Sequence, residues 1–184
     1  MSSYTLGTLI TVPVSERPDL VPPVVLDALV ALGFADRVGV VEIDPELSDT
    51  AATREAYGLT PDALANCVIV TGKREGVSKT AACVVLSITR ANINGVVPKK
   101  LDVRKASFLD RDLAIEQTGM EFGGITPIGL PAEWPIFVDE RVALAPLVIV
   151  GSGIRGSKLI LPGELFASFP AVEIVPDLGT PIEP

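Results

Sequence analysis

Two β-rich segments, residues 67–71 and 80–88, constrain the fold of this chain more than any other feature. Between them lies the turn-prone sequence Gly-Lys-Arg-Glu-Gly, and the whole pattern predicts an antiparallel hairpin. If the turn is centred near residue 75, Cys67 faces Cys83 directly across the hairpin. The two thiols are then either a redox pair or structural cysteines, and a reducing compartment favours the structural interpretation.

The rest of the chain predicts short helices and strands in irregular order. Helices are expected at 24–32, 50–57, 98–105, 110–117 and 165–169, and strands at 38–43, 136–139, 147–151, 158–161 and 172–175. Hairpins mixed with scattered helices indicate the α+β class, because regular alternation of strand and helix is missing. Since the 184 residues contain no repeat or linker, we expect one domain at 21–176, with an N-terminal arm at 1–20 and a flexible tail at 177–184.

Composition excludes several classes of function. The chain has no histidine, so neither a Ser-His-Asp nor a Cys-His catalytic arrangement is available. Its two cysteines cannot build a Cys/His zinc site, and we expect no metal and no cofactor. No apolar run reaches the roughly 18 residues that a membrane helix needs, and the N-terminal sequence does not have the pattern of a signal peptide. These features predict a cytoplasmic protein without a membrane partner.

The net charge of −8 is unevenly distributed along the chain. Residues 73–111 hold nine basic and three acidic residues, a local charge of +6, while the remainder carries −14. Because salt screens charges beyond about 8–10 Å, a local basic face is compatible with RNA binding. The alternative is an ordinary solvated helix face. The candidate RNA-binding residues of this segment are Arg90, Lys99, Lys100, Arg104 and Lys105.

Two glycine-rich segments are candidates for a binding site. In residues 120–131, Gly123 and Gly124 leave backbone N–H groups unshielded, and Pro127 then stiffens the loop. Such a loop either binds a carbonyl or phosphate oxygen or simply connects a helix to a strand. Residues 151–156 match the dinucleotide-binding fingerprint, but a strand follows them where that site requires a long helix. They predict either a plain turn or an anion-binding concavity to which Arg155 adds donors.

The sequences Gly-Gly-Ile-Thr-Pro-Ile-Gly at 123–129, Pro-Ile-Phe-Val-Asp at 135–139 and Gly-Ser-Gly-Ile-Arg-Gly at 151–156 resemble the YbaK/ProX family. These aminoacyl-tRNA editing domains are free-standing or inserted in prolyl-tRNA synthetases, and the family includes the EbsC proteins. The resemblance extends from about residue 21 to 175. It implies a curved, mostly antiparallel sheet surrounded by helices, and hydrolysis of the ester of a mischarged tRNA. The implied partner is the aminoacyl-tRNA acceptor end, not DNA, and the oligomeric state stays open.

The resemblance also reveals one departure. Family members typically carry Lys-Ser or Lys-Thr before the strand that follows a short capped helix, and in this chain Asn66-Cys67 occupies that position. Asparagine orients a carbonyl group but holds no charge. Lys79-Thr80 is the rival alignment, and Lys79 is also expected to approach the pocket from the neighbouring strand. Members often carry Ser at the position of Gly151, so Ser152 is the alternative source of a hydroxyl group.

Three interpretations of the site follow. Backbone N–H groups of 123–126 and 151–153 are expected to stabilise the developing oxyanion, while the resemblance implies that the ribose 2′-hydroxyl of the tRNA takes part. A non-catalytic module that binds a tRNA end, a nucleotide or a protein is the alternative, and hydrolysis of another small ester or amide is a third. The candidate catalytic residues are Asn66, Lys79, Gly123, Gly124, Thr126, Gly151 and Ser152. The candidate substrate-binding residues are Ile125, Pro127, Ile128, Gly153, Arg155 and Asp139.

Two further expectations concern the side chains around this site. The apolar residues Ile125, Ile128 and Leu130 favour a small amino acid such as alanine. Asp139 is a base, a helix cap or a loop anchor, with the anchor favoured, and Glu121 is open between the same roles.

Overall fold

The computed structural model describes residues 3–182, which contain thirteen strands and five α-helices. The strands are β1 (Thr5–Leu6), β2 (Leu9–Ile10), β3 (Val12–Pro13), β4 (Gly39–Glu42), β5 (Ala65–Arg74), β6 (Val77–Leu86), β7 (Thr89–Ala91), β8 (Ala106–Phe108), β9 (Ile136–Asp139), β10 (Val148–Gly151), β11 (Ser157–Leu161), β12 (Val172–Val175) and β13 (Gly179–Pro181). The helices are α1 (Pro23–Ala31), α2 (Thr50–Tyr57), α3 (Val96–Leu101), α4 (Arg111–Thr118) and α5 (Glu140–Leu144). Four short 3₁₀ helices, at Pro18–Leu20, Pro45–Leu47, Pro61–Ala63 and Gly163–Ser168, complete the described part.

Two sheets and two small ribbons form the framework. One sheet has the order β12-β9-β6-β5-β8, and the other has the order β10-β11-β4-β3. Among the strand pairs of the two sheets, only those of β9 with β6 and with β12 are parallel, so the sheets are mostly antiparallel. The predicted α+β class is therefore confirmed.

The main core lies between the two sheets. It joins side chains of the five-stranded sheet, such as Ile69 and Val84, to side chains of the four-stranded sheet, such as Val150 and Leu159. Helix α1, which begins with prolines where early N–H groups need no partner, closes this core. A second apolar cluster covers the opposite face of the five-stranded sheet, under α3. This arrangement leaves the edge of β5 between the two sheets.

The predicted hairpin exists, but its register differs by one residue. Glu75 and Gly76 form a two-residue turn with positive φ at both positions, so the pairing sum is 151 and Val68 faces Cys83. A shift of one residue moves a side chain to the other face of a sheet. Cys67 therefore belongs to the core between the sheets and Cys83 to the second cluster. The expectation that these cysteines face each other is wrong, and both are free thiols.

Several local expectations also need correction. The helix predicted at 98–105 ends at Leu101 because Asp102 adopts a left-handed conformation, and β8 follows it. The segment predicted as a loose tail instead contains β13, which pairs with β7, and Leu178 before it is fully buried. The outermost residues of the two predicted terminal segments, 1–2 and 183–184, lie outside the described residues. Within 3–182, no helix combines the length and the apolar character that crossing a membrane requires.

Candidate active site

A cavity of about 580 Å³ opens between the two sheets. One wall is the first half of β5, since β8 pairs with β5 only over Val70–Gly72. The other walls come from the start of α2, the ends of β10 and β11, the loop before β9, and α4. The lining residues are Ser48, Asp49, Thr50, Ala65, Asn66, Cys67, Val68, Ile69, Phe108, Leu109, Arg111, Ala114, Phe122, Gly123, Ile125, Gly151 and Lys158.

The two glycine-rich segments lie against each other beside this cavity. The Gly153 N–H donates to the Gly124 carbonyl at 2.7 Å, and the Glu121 N–H donates to the Gly153 carbonyl at 2.9 Å. The Glu121 carboxylate accepts from the Arg155 N–H at 2.7 Å, which gives this acid the role of a link between the loops. A Cβ at Gly151 would lie 2.4 Å from the Gly124 oxygen. Glycine is required there because the backbones approach so closely.

These contacts decide which backbone donors remain free. The Gly124 N–H bonds to Glu121, the Gly153 N–H bonds to Gly124, and the Thr126 N–H points at the Met120 sulfur at 3.5 Å. The N–H groups of Gly123 and Ile125 find no acceptor among residues 3–182, and both residues line the cavity. Gly123 and Ile125 therefore keep unpaired N–H groups at the cavity, while the N–H groups of Gly124 and Gly153 hold the turns together.

Asn66 lies on β5 in the wall of the cavity, and its amide has a fixed orientation. Thr50, the first residue of α2, donates its hydroxyl to Asn66 Oδ1 at 2.9 Å. The Asn66 amide nitrogen has no acceptor within the described part of the chain, so it can donate to a bound group. The buried Ser48 hydroxyl also lines the cavity and lacks a partner within the described residues. The site thus presents neutral donors next to Gly123.

Lys158 lines the same cavity, although the sequence did not single it out. It is the second residue of β11 and pairs with Gly151. Its Nζ donates to the Ser48 carbonyl at 3.0 Å. Burial lowers the pKa of Lys158 to about 8, with Asp49 raising it and Arg155 lowering it to smaller extents. The available signal was a lysine directly before the apolar run Leu-Ile-Leu, two residues after the glycine turn.

Aromatic side chains surround the mouth of the cavity. Phe108 is 55% exposed and Phe122 is 47% exposed, which is unusual for side chains of this size. The Arg111 guanidinium lies over the Phe122 ring, with its central carbon 4.8 Å from the ring centroid. Flat apolar faces next to a guanidinium are suited to stacking with nucleobases.

Several predicted site residues lie away from this cavity. Thr126 is fully buried beneath the loop, and Pro127 and Ile128 face a separate apolar pocket beside α1. The buried Ser152 hydroxyl accepts from the Ser157 hydroxyl at 2.6 Å and stabilises the turn from inside. The cavity is lined by none of these four residues: the loop turns inward after Ile125, and the Ser152 side chain is buried inside its turn.

Lys79 and Asp139 have other partners. The Lys79 ammonium lies 3.0 Å from the Asp102 carboxylate, outside the lining of the cavity, so its predicted approach to the pocket is wrong. Asp139 is buried, caps α5 by accepting from the Arg141 N–H, and accepts from the Gly179 N–H at 2.6 Å. These contacts give Asp139 the role of an anchor between α5 and β13.

The basic residues proposed for RNA binding are scattered. Helix α3 packs Val97 and Leu101 into the second apolar cluster, so its Lys99 and Lys100 lie on the sheet face opposite the core between the sheets. Lys100 forms an ion pair with Glu173. Arg90 lies on β7, and the pair Arg104 and Lys105 precedes β8; none of the five candidates lines the cavity. Arg111 is the basic residue of segment 73–111 that does.

Neither a metal site nor a thiol nucleophile fits this arrangement. Within the part of the chain that the structure describes, no group of three His, Cys, Asp or Glu side chains is positioned to hold a metal ion. Burial raises the pKa of the Cys67 thiol strongly, so the one cysteine in the cavity stays neutral. The chemistry available here depends on neutral donors, one lysine, one arginine and the carboxylate of Asp49.

Solved structures share this fold. They include a scaffold protein used for computational grafting of linear epitopes, at 20% identity and a TM-score of 0.72 over 88% of this chain and 99% of that one. Hypothetical protein APE2540 has 19% identity and a TM-score of 0.72, covering 85% of this chain and 99% of its own. A protein named as a candidate trans-editing enzyme for prolyl-tRNA synthetase has 18% identity and a TM-score of 0.72, covering 86% and 98%. Identities this low show the fold alone.

The family follows from the sequence itself. No curated protein matches the chain. A model of the aminoacyl-tRNA editing domain matches residues 44–169, which is more than half of the chain and includes both glycine turns, Asn66 and Lys158. This match confirms the resemblance at the level of the editing domain. The chain belongs to the aminoacyl-tRNA editing domain family.

Proposed function

We propose that this protein is a free-standing deacylase that hydrolyses the ester of a mischarged aminoacyl-tRNA in the cavity between its two sheets. The observation that carries the proposal is the meeting of both glycine turns and Asn66 at one cavity, with the N–H groups of Gly123 and Ile125 free. A solved structure of the same fold is named as a candidate trans-editing enzyme, which supports action on tRNA released by a synthetase. Such an activity belongs in the cytoplasm, where tRNA is charged.

The chemistry requires little from the protein because an aminoacyl ester is already activated. Water adds to the carbonyl carbon, and the negative charge that forms on the carbonyl oxygen is stabilised by the N–H groups of Gly123 and Ile125. Each well-placed donor of this kind contributes about 3 kcal/mol. The Asn66 amide orients the same carbonyl. The family resemblance implies that the 2′-hydroxyl of the terminal ribose relays the proton of the water, and this role is compatible with a chain that has no histidine.

The rim of the cavity supports a nucleic acid end as the ligand. Exposed Phe108 and Phe122, with Arg111 over the latter ring, provide stacking surfaces, and stacking contributes about 1–3 kcal/mol per base. The volume of about 580 Å³ is within the usual range of ligand pockets and exceeds what an alanyl group needs. Of the residues that favoured a small amino acid, only Ile125 lines the cavity, because Ile128 and Leu130 face another pocket. A preference for alanine must therefore be measured with tRNAs that carry different amino acids.

The test is a panel of tRNAs, each mischarged with a different amino acid. We expect the protein to accelerate release of at least one amino acid well above spontaneous hydrolysis, with correctly charged tRNAs spared. Because the φ of +89° at Gly123 excludes proline, its N–H is removed by a backbone amide-to-ester replacement, which lowers the rate on the order of 10²-fold. No acceleration with any member of the panel rejects the proposal.

A non-catalytic module is the second candidate, and Asn66 at the position of the family lysine is the observation that favours it. Such a module would bind the tRNA end through the same rim and cavity without cleaving the ester. The variant Asn66→Lys separates the two functions. Activity in the variant together with none in the wild type supports the binding module, whereas activity in the wild type supports the deacylase.

A further inference from the structure

We propose that Lys158 is a catalytic residue of this site, whose ammonium contacts the ester carbonyl oxygen and stabilises the negative charge that develops there. This inference rests on the proposed deacylase function. In this proposal the positive charge of the site comes from β11, because Asn66 on β5 is neutral.

The backbone register brings Lys158 to the glycine turns. Lys158 and Gly151 are directly opposite in the antiparallel pair of β10 and β11, so their Cα–Cβ directions lie on the same side of the sheet. On that side of Gly151 are the backbone carbonyls of Gly124 and Ile125, whose oxygens lie 2.4 and 2.6 Å from the point that a Cβ at residue 151 would occupy. The lysine stem thus starts beside the loop whose free N–H groups line the cavity.

The ammonium of Lys158 has donors to spare. Its single hydrogen bond within residues 3–182 goes to the Ser48 carbonyl, so two of its three N–H groups remain for a ligand. No carboxylate lies within 4.0 Å of it in the described part of the chain, whereas Lys79 and Lys100 form ion pairs. Lys158 is also the one lysine among the lining residues. A half-buried cation with no carboxylate in direct contact is costly to maintain, which is typical of a group that is retained for a ligand.

The charged neighbours leave this ammonium able to act near neutral pH. Asp49 and Arg111 line the cavity with it, and Arg155 lies close to it; Asp49 raises the pKa of Lys158 and Arg155 lowers it. The Cys67 thiol, the remaining titratable group of the lining, has a raised pKa and carries no charge. Because burial lowers the pKa of Lys158 to about 8, most Lys158 side chains carry their proton and a positive charge at pH 7.

The reaction balances without a further reactant. Water forms a bond to the carbonyl carbon, and the carbonyl oxygen takes the negative charge opposite the Lys158 ammonium. The tetrahedral intermediate then collapses, the bond to the ribose oxygen breaks, and that oxygen leaves with a proton that came from the water. The amino acid departs as a carboxylate, and the second proton passes to solvent. Lys158 keeps its proton throughout and acts through charge.

The kinetic test compares Lys158→Met with Lys73→Met on the mischarged tRNA that the wild type cleaves best. Lys73 is exposed on the hairpin and does not line the cavity, so it is the matched control. We expect Lys158→Met to lower kcat on the order of 10²-fold with KM changed by less than about threefold, and Lys73→Met to match the wild type. The double variant Asn66→Lys, Lys158→Met returns an ammonium from β5 and recovers at least about tenfold of the lost rate.

The pH profile and a binding measurement complete the test. After subtraction of spontaneous hydrolysis, kcat of the wild type falls as pH rises through about 8 because the ammonium is lost, and this fall is absent in Lys158→Met. A phosphonate ester of adenosine, which mimics the tetrahedral oxyanion, binds at least about tenfold more tightly to the wild type than to Lys158→Met. An amide-linked substrate analogue binds both proteins within about threefold, since it lacks the negative charge.

The outcomes separate this inference from the proposed function. A wild type that deacylates tRNA while Lys158→Met keeps the same kcat overturns the role of Lys158 and leaves the function standing. Equal affinity of both proteins for the phosphonate overturns that role even in a protein that cleaves no tRNA. If the wild type neither cleaves a mischarged tRNA nor binds either analogue, the proposed function fails and the inference fails with it.

Discussion

The close contact between the two glycine turns gives a direct test of the site. We predict that Gly151→Ala destabilises the protein and abolishes most deacylation, whereas Gly156→Ala in the same turn does neither. An added Cβ at Gly151 would lie 2.4 Å from the Gly124 oxygen and 2.6 Å from the Ile125 oxygen, both backbone atoms. At Gly156 the nearest atom is Pro45 Cγ at 3.8 Å, an ordinary van der Waals contact.

The magnitude follows from the displacement that the methyl group forces. The loop must retreat by roughly 0.6 Å before the contact with the Gly124 oxygen reaches 3.0 Å. Overpacking of this kind costs about 1–3 kcal/mol, and weakening the Gly153-to-Gly124 hydrogen bond adds about 1 kcal/mol. Because a misplacement of about 1 Å can cost 10²-fold in rate, we expect a loss on the order of 10- to 100-fold in kcat/KM.

Urea unfolding followed by far-UV circular dichroism measures the free energy of unfolding of each variant, and deacylation of the best substrate measures the rate. Each substitution restricts the backbone of the unfolded chain to the same extent. The difference between the variants therefore measures the steric clash of the added methyl group at residue 151. Gly151→Ala with the stability and rate of Gly156→Ala would refute the packing of the two turns. Lost stability with full activity would refute the link between this packing and the site.

Three further predictions concern the anchor, the rim and the thiols. Asp139→Asn lowers the free energy of unfolding by about 3 kcal/mol in urea titrations, because a buried carboxylate that binds Arg141 and the Gly179 N–H loses its charge. Phe122→Ala weakens binding of a tRNA acceptor-stem hairpin by about 1–3 kcal/mol in fluorescence anisotropy, while Leu144→Ala, also exposed but outside the cavity, leaves it unchanged. In the folded protein at pH 7.5 to 8, about the usual assay range, the two cysteines resist a thiol reagent and form no disulfide. Burial raises both thiol pKa values, that of Cys83 to about 12, and the thiols lie on opposite sheet faces; rapid labelling before unfolding would contradict this.

Local signals in the sequence predicted most of the elements correctly. The strand at Val172–Val175 was predicted with these bounds, and the helix predicted at 110–117 is present at Arg111–Thr118, because hydrophobic periodicity acts within a few residues. The register of the hairpin was predicted wrongly. Glu-Gly is a weaker turn signal than Asn-Gly, so the centre of the turn was placed half a residue too early. Three-residue strands such as β8 and β13 carry too little periodicity to be recognised and depend on distant partners.

The same difference between local signals and tertiary contacts separates the predicted site residues that lie at the cavity from those that do not. Gly123 and Gly151 were found from the sequence because a positive φ at the first and a close backbone approach at the second require glycine, and this demand is visible in the residue itself. Pro127 and Ile128 were misassigned because the loop turns inward after Ile125, which no local rule specifies. Lys158 was missed because its importance depends on its partner across two strands and on burial, and both are tertiary properties.

The position of Lys158 changes how the asparagine at 66 should be interpreted. A charged side chain acts where its terminal atoms lie, and a lysine reaches several ångströms from its backbone. Since the cavity lies between two sheets, strands of either sheet can deliver an ammonium to it: β5 at residue 66 or β11 at residue 158. The asparagine at residue 66, taken alone, suggests a protein without deacylase activity. The cavity as a whole nevertheless contains a lysine, Lys158. An ammonium delivered from either strand is therefore expected to serve the same site, and recovery of activity in the Asn66→Lys, Lys158→Met variant is the result that this expectation requires.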